Sequence, residues 1–273
     1  MKEYASLPIK VVQVVATLLV LVPIAWMVGI SLKPADEPFA TPAQLWPSSL
    51  TLDNYRAALR PEFGGYLFNS VVVSALTIVI STGLGFLGAF GLQRFRGRLR
   101  LGLLAFLIAG QMVPAAAIII PIFAGARELG LINSRPGLAL AYVALTLPVA
   151  TIMQYTFLSG LPEEVFEAAH IDGASTWQLL RYVVAPMAVP GLVSAAVWLA
   201  VLVWQEFLFA LSMTTTKETW TLPVGLSDFI GQYGIRYGEL MATSIVMSIP
   251  VVVVFLLLQR HLVQGITAGA VKG

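Results

Sequence analysis

The stretch YLFNSVVVSALTIVISTGLGFLGAFGL, Tyr66 to Leu92, holds no charged residue, and QRFRGRLR, Gln93 to Arg100, follows it at once. A helix rises about 1.5 Å per residue, so about 20 apolar residues cross a hydrocarbon core of about 30 Å. The run is long enough to span. A membrane strand would alternate apolar and polar side chains over about ten residues, whereas this run is continuously apolar and therefore reads as a helix. Behind it stand Arg94, Arg96, Arg98 and Arg100 with no acidic residue among them. Short basic loops stay in the cytoplasm, which predicts that this loop lies inside. Whether the arginines also touch lipid or a partner stays open on sequence.

The same apolar pattern recurs on both sides. Candidate spans are Val11–Leu32, Tyr66–Leu92, Leu101–Ala124, Pro136–Ser159, Pro190–Met213 and Glu239–Gln259. Of 273 residues, 58% are hydrophobic and 11% charged, and the mean hydropathy is +0.85. An ordinary soluble domain carries about 25% charged residues, so a soluble enzyme and a disordered chain are both excluded. The net charge of +2, from 16 basic and 14 acidic residues, gives no case for nucleic-acid binding. No cysteine is present, which removes disulfides, thiolate metal sites and cysteine nucleophiles. The first span follows Lys2 and Lys10 and exceeds a cleaved signal core of about 7–15 residues, so an uncleaved span with its N-terminus inside is expected. Alternation then puts 33–65, 125–135 and 214–237 outside, and 160–189 and both termini inside. The expected fold is an all-α membrane protein, with six transmembrane helices in one domain over 1–273.

Two further patterns bear on packing. Ser81, Gly85 and Ala89 recur every four residues with Gly88 beside them, a spacing that lets helix backbones approach closely. Pro114, Pro121, Pro148 and Pro250 fall inside spans three, four and six, where kinks are expected.

The inside loop at 160–189 carries helix punctuation. Pro162 suits a first helical position, and Glu163 and Glu164 face the positive end of the helix dipole. The helix continues through Ile171, Asp172-Gly173 supplies turn chemistry, and Ser175-Thr176-Trp177-Gln178 reads as a capping box. A second helix is expected from there until Pro186 and Pro190 interrupt it. Helices that rest on lipid are usually rich in lysine and arginine. This hairpin is acidic, and a protein partner fits it better.

Glu206 reads as the acidic residue well inside a span, and ionisable groups at that depth usually face a cavity. The alternative is an interfacial position: Glu206 stands about 24 Å along span five at helical rise, with Trp204 suited to an aromatic belt. No G-x-x-x-x-G-K-[ST] string occurs, so the chain has no phosphate-cradling loop of its own and its energy must come from another polypeptide. His170 and His261 are too far apart for a local metal site. No catalytic, cofactor-binding or metal-ligating residue is assigned.

Glu167-Ala168-Ala169, Gly173 and Val183-Val184-Ala185-Pro186 resemble the EAA signature of permease subunits in ABC-type importers. The strings EAAHIDGAS at 167–175 and QRHLVQGITAGAVKG at 259–273 are similar to the sugar-importing branch. So are Asn69-Ser70, Trp204-Gln205-Glu206-Phe207 and Thr221-Leu222-Pro223-Val224-Gly225-Leu226, and the likeness is strongest to the smaller maltose-type subunit. Ala185 stands where the signature usually has leucine, and Gln205 where that branch often has asparagine, which leaves the substrate more open. The resemblance implies a type I ABC importer permease bundle in a bacterial or archaeal plasma membrane. It implies an ATPase-coupling loop with Glu167, Ala168, Ala169, Asp172, Gly173 and Pro186 at its docking face and turns. It implies a second permease subunit, two ATPase subunits carrying the ATP and magnesium, an external solute-binding protein and a lipid surround. The tail after Gln264 resembles a segment that reaches toward the ATPase pair. Trp204, Gln205 and Glu206 are translocation-path candidates, although in maltose-type pairs the sugar site lies mainly in the larger subunit. Two rival expectations remain: the same architecture carrying a non-sugar solute such as a glycerol phosphodiester, and a secondary carrier using Glu206 for proton coupling.

Overall fold

The computed structural model describes residues 7–35, 37, 46–231 and 234–270, without the side chains of 7, 8, 231 and 258–270. Lys2 and the tail residues Val271, Lys272 and Gly273, all named above, lie outside the described residues. The chain is helical almost throughout. Its helices are α1 (Leu7–Ser31), α2 (Asp53–Ala58), α3 (Pro61–Arg94), α4 (Gly97–Gln111), α5 (Ala115–Glu128), α6 (Arg135–Leu158), α7 (Glu163–Ile171), α8 (Thr176–Trp204), α9 (Leu208–Met213), α10 (Leu222–Leu226) and α11 (Tyr237–Ala270). A two-residue antiparallel ladder pairs Ile230 with Ile235 and Gly231 with Gly234.

Among the described residues five helices, α1, α3, α6, α8 and α11, are long and apolar enough to cross a membrane, and α4 with α5 makes a sixth if counted as one span. That third span is not the continuous helix expected over Leu101–Ala124. α4 and α5 meet at 94°. Pro114 has no N–H and pushes the residue before it toward extended backbone, so α4 ends at Gln111 and Pro114 (ψ 134°) starts the next helix.

The fifth span also departs from expectation. Pro186 and Pro190 do not interrupt the helix, which runs unbroken from Thr176 to Trp204. Residues Leu179–Val184 are wound as a wider π turn, with the Ala185 N–H donating to the Leu180 carbonyl. A proline crowds the carbonyl four residues before it. For Pro186 that carbonyl belongs to Tyr182, inside the wider turn, where the bonding is already i to i+5. The span then stops at Trp204 rather than continuing to Met213, and α9 begins after a three-residue break.

The chain divides into two compact units, Met1–Gly64 with Gly225–Ile249, and Gly65–Val224 with Pro250–Gly273. In the first, the buried Asn54 amide donates to the Ser31 and Lys33 carbonyls at 2.9 and 2.8 Å, and Phe63 stacks on Phe229. α1 presents its apolar side chains outward along almost its whole length, with no part of its spanning window buried.

In the second unit the row of small residues on α3 meets α6. The Ser81 and Thr146 hydroxyls lie 2.7 Å apart, Ala89 is fully buried, and a Cβ on Gly85 would sit 2.9 Å from the Ala150 Cβ. Only glycine permits that approach. Around the contact lie two apolar clusters. One joins Val73, Leu138, Tyr142, Val203 and Phe209, and the other joins Phe86, Phe90, Leu158, Leu180 and Val184.

Candidate functional site

Two places in the second unit carry the features that the sequence singles out. The first is the hairpin that follows α6. α7 starts after Pro162 with Glu163 and Glu164 in its first turn, as its dipole favours. It ends in a closed backbone motif: the Ala174 N–H donates to the Ala169 carbonyl at 3.0 Å, and the Gly173 N–H to the His170 carbonyl at 3.1 Å. Gly173 stands at φ +72°, the left-handed conformation that this cap requires and glycine adopts without strain. The chain then re-enters a helix through the capping box expected from sequence. The Gln178 N–H donates to the Ser175 Oγ, and the Ser175 N–H donates to the Gln178 Oε1 at 2.7 Å.

This construction fixes which side chains face outward. Glu167, Ala168, Asp172 and Gly173 are exposed, as is Pro186 further along α8. Ala169 is not. It is buried against Leu158, Leu179, Leu180 and Val184, which corrects the expectation that it shares the docking face. A small side chain at 169 lets α7 lie against its own bundle. Next to the acidic residues stand two exposed apolar side chains that the sequence reading passed over, Ile171 at 86% and Trp177 at 62% exposure. Of the two, Trp177 is the residue type that most often anchors a protein contact.

The second place is the break between α8 and α9. Glu206 is not inside a span: it stands two residues past the end of α8. Its carboxylate accepts hydrogen bonds from the Phe209 N–H at 2.9 Å and the Ala210 N–H at 3.2 Å. Phe209 and Ala210 are fully buried, so Glu206 satisfies two donors that have no water available. The Tyr142 hydroxyl approaches the Glu206 carbonyl at 3.4 Å. Glu206 also lines a cavity of about 620 Å³, walled mainly by apolar side chains of α4, the Met112–Pro114 bend, α6 and the end of α8. Of the three pathway candidates, Glu206 lines this cavity while Trp204 and Gln205 do not.

Strings that are distant in sequence meet here as well. The Asn69 amide donates to the Glu218 and Trp220 carbonyls, both at 2.8 Å, and accepts from the Arg135 Nε. The Ser70 Oγ accepts from the Leu222 N–H at 2.8 Å. Asn69-Ser70 thus fastens the 218–222 segment, where the second string begins, to α3. Asn133, at φ +57°, accepts from the Thr215 and Thr216 N–H groups and from the Thr219 hydroxyl. Sequence reasoning missed Tyr142, Asn133 and Arg135, because nothing near them in the chain points to partners 60–90 residues away.

The comparisons with known proteins agree with this architecture. The family described as "Binding-protein-dependent transport system inner membrane component" matches residues 81–268. The trehalose transport system permease protein SugB of Mycobacterium tuberculosis is 38% identical over 93% of both chains. The trehalose/maltose transport system permease protein MalG of Thermococcus litoralis is 34% identical over 95% of this chain and 94% of that one. Among solved structures, a bacterial ABC transporter involved in import of the acidic polysaccharide alginate superimposes with a TM-score of 0.73 at 21% identity. It covers 94% of this chain and 98% of that one, a likeness of fold. A match to well over half the chain, together with relatives above 30% identity along nearly its full length, means that the chain belongs to the binding-protein-dependent inner membrane components, the permease subunits of ABC transporters.

Proposed function

We propose that this chain is one of two permease subunits of an ATP-driven sugar importer, and that it receives the force of ATP binding and hydrolysis through the Gly160–Val189 segment. The observation that carries this reading is the hairpin itself. A short helix is closed at one end by Gly173 and relayed into α8 by the Ser175 capping box. It is seated on the bundle by Ala169 and shows Glu167, Ala168, Ile171, Asp172 and Trp177 to a partner. A displacement pressed on its outer face passes through the fully buried Val184 into a membrane helix. The partner would supply a cleft with apolar walls and basic groups. The remaining partners in this reading are a second permease chain, two ATPase subunits that hold ATP and magnesium, and an external solute-binding protein. The termini lie in the cytoplasm.

The relatives named for trehalose, maltose and diacetylchitobiose uptake support a disaccharide or short oligosaccharide as solute. The cavity beside Glu206 is this chain's contribution to the pathway, and of the three candidates Glu206 is the one that lines it. The hydrogen bonds that occupy the Glu206 carboxylate weigh against a proton-coupled carrier, which needs that group free to exchange protons. The test is trehalose and maltose uptake by the assembled complex in proteoliposomes. The reading requires uptake that depends on ATP inside and binding protein outside and that survives an uncoupler. Uptake abolished by the uncoupler with ATP present would overturn it.

A further inference from the structure

We propose that the segment Gln93–Leu101 and the groove beside it form a binding surface for the headgroup of an anionic phospholipid of the phosphatidylglycerol type, placed against the first turn of α7. Arg94, Arg96 and Arg98 are exposed and Arg100 half-exposed. Arg94 lies over the Phe90 ring, and among the described residues no carboxylate comes within ion-pair distance of Arg96, Arg98 or Arg100. The opening turn of α4 carries no acidic residue to offset them. Between the arginines stand the exposed apolar side chains Phe95 at 43% and Leu99 at 57%, and Leu101 at 64% follows them. Exposed apolar side chains continue away from the arginines, Leu84 and Leu87 on α3 and Ile108 on α4.

An acidic soluble partner would answer the charge but not that continuation. A phospholipid answers both, with a phosphodiester for the guanidinium groups and acyl chains for the apolar side chains. Beside Arg100 a groove of about 310 Å³ is lined by Gln93, Ser159, Leu161, Phe166 and Glu163. It has the mixed polar and apolar walls that a glycerol headgroup meets. Within the groove Glu163 offsets Arg100, and the positive charge of the surface comes from Arg94, Arg96 and Arg98 on the adjoining segment. Glu163 and Phe166 belong to α7, so a headgroup seated there touches the helix that meets the ATPase. Anionic lipid then steadies the coupling element and raises the rate of coupled uptake.

The proposal rests on the chain's membrane placement and not on the identity of its solute, and the lipid measurement needs no solute. The assembled complex is reconstituted with phosphatidylcholine alone or mixed with phosphatidylglycerol, re-extracted, and its retained lipid read by native mass spectrometry. Wild type is expected to retain phosphatidylglycerol preferentially, and less so as salt is raised. Replacing Arg96, Arg98 and Arg100 together by glutamine is expected to cut that preference by roughly tenfold or more and to remove the stimulation of ATP hydrolysis by phosphatidylglycerol. Lysine at the same three positions keeps most of both. Equal retention by the glutamine variant overturns the proposal, as does loss of the ATPase subunits with lipid retention unchanged, which assigns the patch to a protein. If the glutamine variant fails to insert, the wild-type salt series decides: no preference for phosphatidylglycerol at low salt overturns the proposal.

Discussion

Helix α7 and helix α8 both end in mid-course, but they end by different means. At Asp172–Ala174 the chain stops with its own backbone and one glycine, in an exposed position. At Gln205–Phe207 it stops with a carboxylate that reaches forward to two buried N–H groups beside an apolar cavity. A terminus surrounded by water has many ways to satisfy its orphan groups, whereas a terminus inside the bundle has only the side chain provided. The hairpin is therefore free to spend its outward side chains on a partner. At the α8 break, the side chain that looked functional is committed to holding the fold.

That difference predicts the largest effect at Glu206. Leucine there leaves the Phe209 and Ala210 N–H groups without acceptors, at about 1–3 kcal/mol each. Glu206→Leu is expected to lower the thermal unfolding temperature of the purified complex sharply and to abolish uptake. Glu206→Gln keeps one carbonyl acceptor, so uptake persists, with or without an uncoupler. An unfolding temperature for the leucine variant equal to wild type would remove the structural role, and total loss of uptake in the glutamine variant alone would restore the proton-carrier reading.

At Glu167 the expected damage is functional and not structural. The side chain is exposed, so Glu167→Lys leaves expression and melting behaviour unchanged. Reversing a charge at a desolvated contact commonly costs several kcal/mol, enough to strip the ATPase subunits on purification and halt transport. Co-purification of the ATPases at wild-type yield, with full uptake, would show that the hairpin's outer face docks nothing through this residue.

The same contrast explains what was legible in the sequence. Spanning helices, the small-residue row on α3 and the hairpin's punctuation were readable because each is a local rule: an apolar run, a spacing of four, a Ser with Gln three places later. The break at Gln205–Phe207 was not, because the run from Pro190 to Met213 is apolar enough to continue. What stops it is a carboxylate finding donors three and four residues ahead. The bend at Pro114 was half legible: a proline inside an apolar run announces strain but not a turn of 94°. Ala169 went the other way, since an alanine beside an exposed glutamate gives no local sign of burial. The links from Asn69 and Ser70 to the 218–222 segment, and from Arg135 to Asn69, depend on packing that no stretch of chain contains.

Gly173 gives a smaller and sharper effect. A Cβ at this position meets nothing within 4 Å, so any loss comes from the backbone at φ +72° alone. A β-branched residue held there costs about 1–3 kcal/mol, while asparagine tolerates the left-handed region. Gly173→Val is expected to reduce ATP-driven uptake strongly with the complex still assembled, and Gly173→Asn to keep most of it. Equal losses in the two variants would mean that the partner needs the absent side chain, and not the conformation.

Ser175→Ala has the smallest expected effect and tests the comparison most directly. The Ser175 hydroxyl, like the Glu206 carboxylate, accepts from the N–H three residues ahead. Removing a serine cap costs about 1 kcal/mol where water can replace it, and Gln178 and Ser175 are both exposed. The reciprocal bond from the Ser175 N–H to the Gln178 side chain survives, and the buried Leu179 and Leu180 still seat the start of α8 on the bundle. Hydrogen exchange should therefore speed up at Gln178 and its neighbours, with uptake within about twofold of wild type, as the loss of about 1 kcal/mol at a frayed end allows. The same measurement on Glu206→Leu should show exchange spreading through α9. If Ser175→Ala destabilises the chain as much as Glu206→Leu does, water is not replacing the lost cap. The hairpin would then be as enclosed as the cavity, which requires a partner already seated on it.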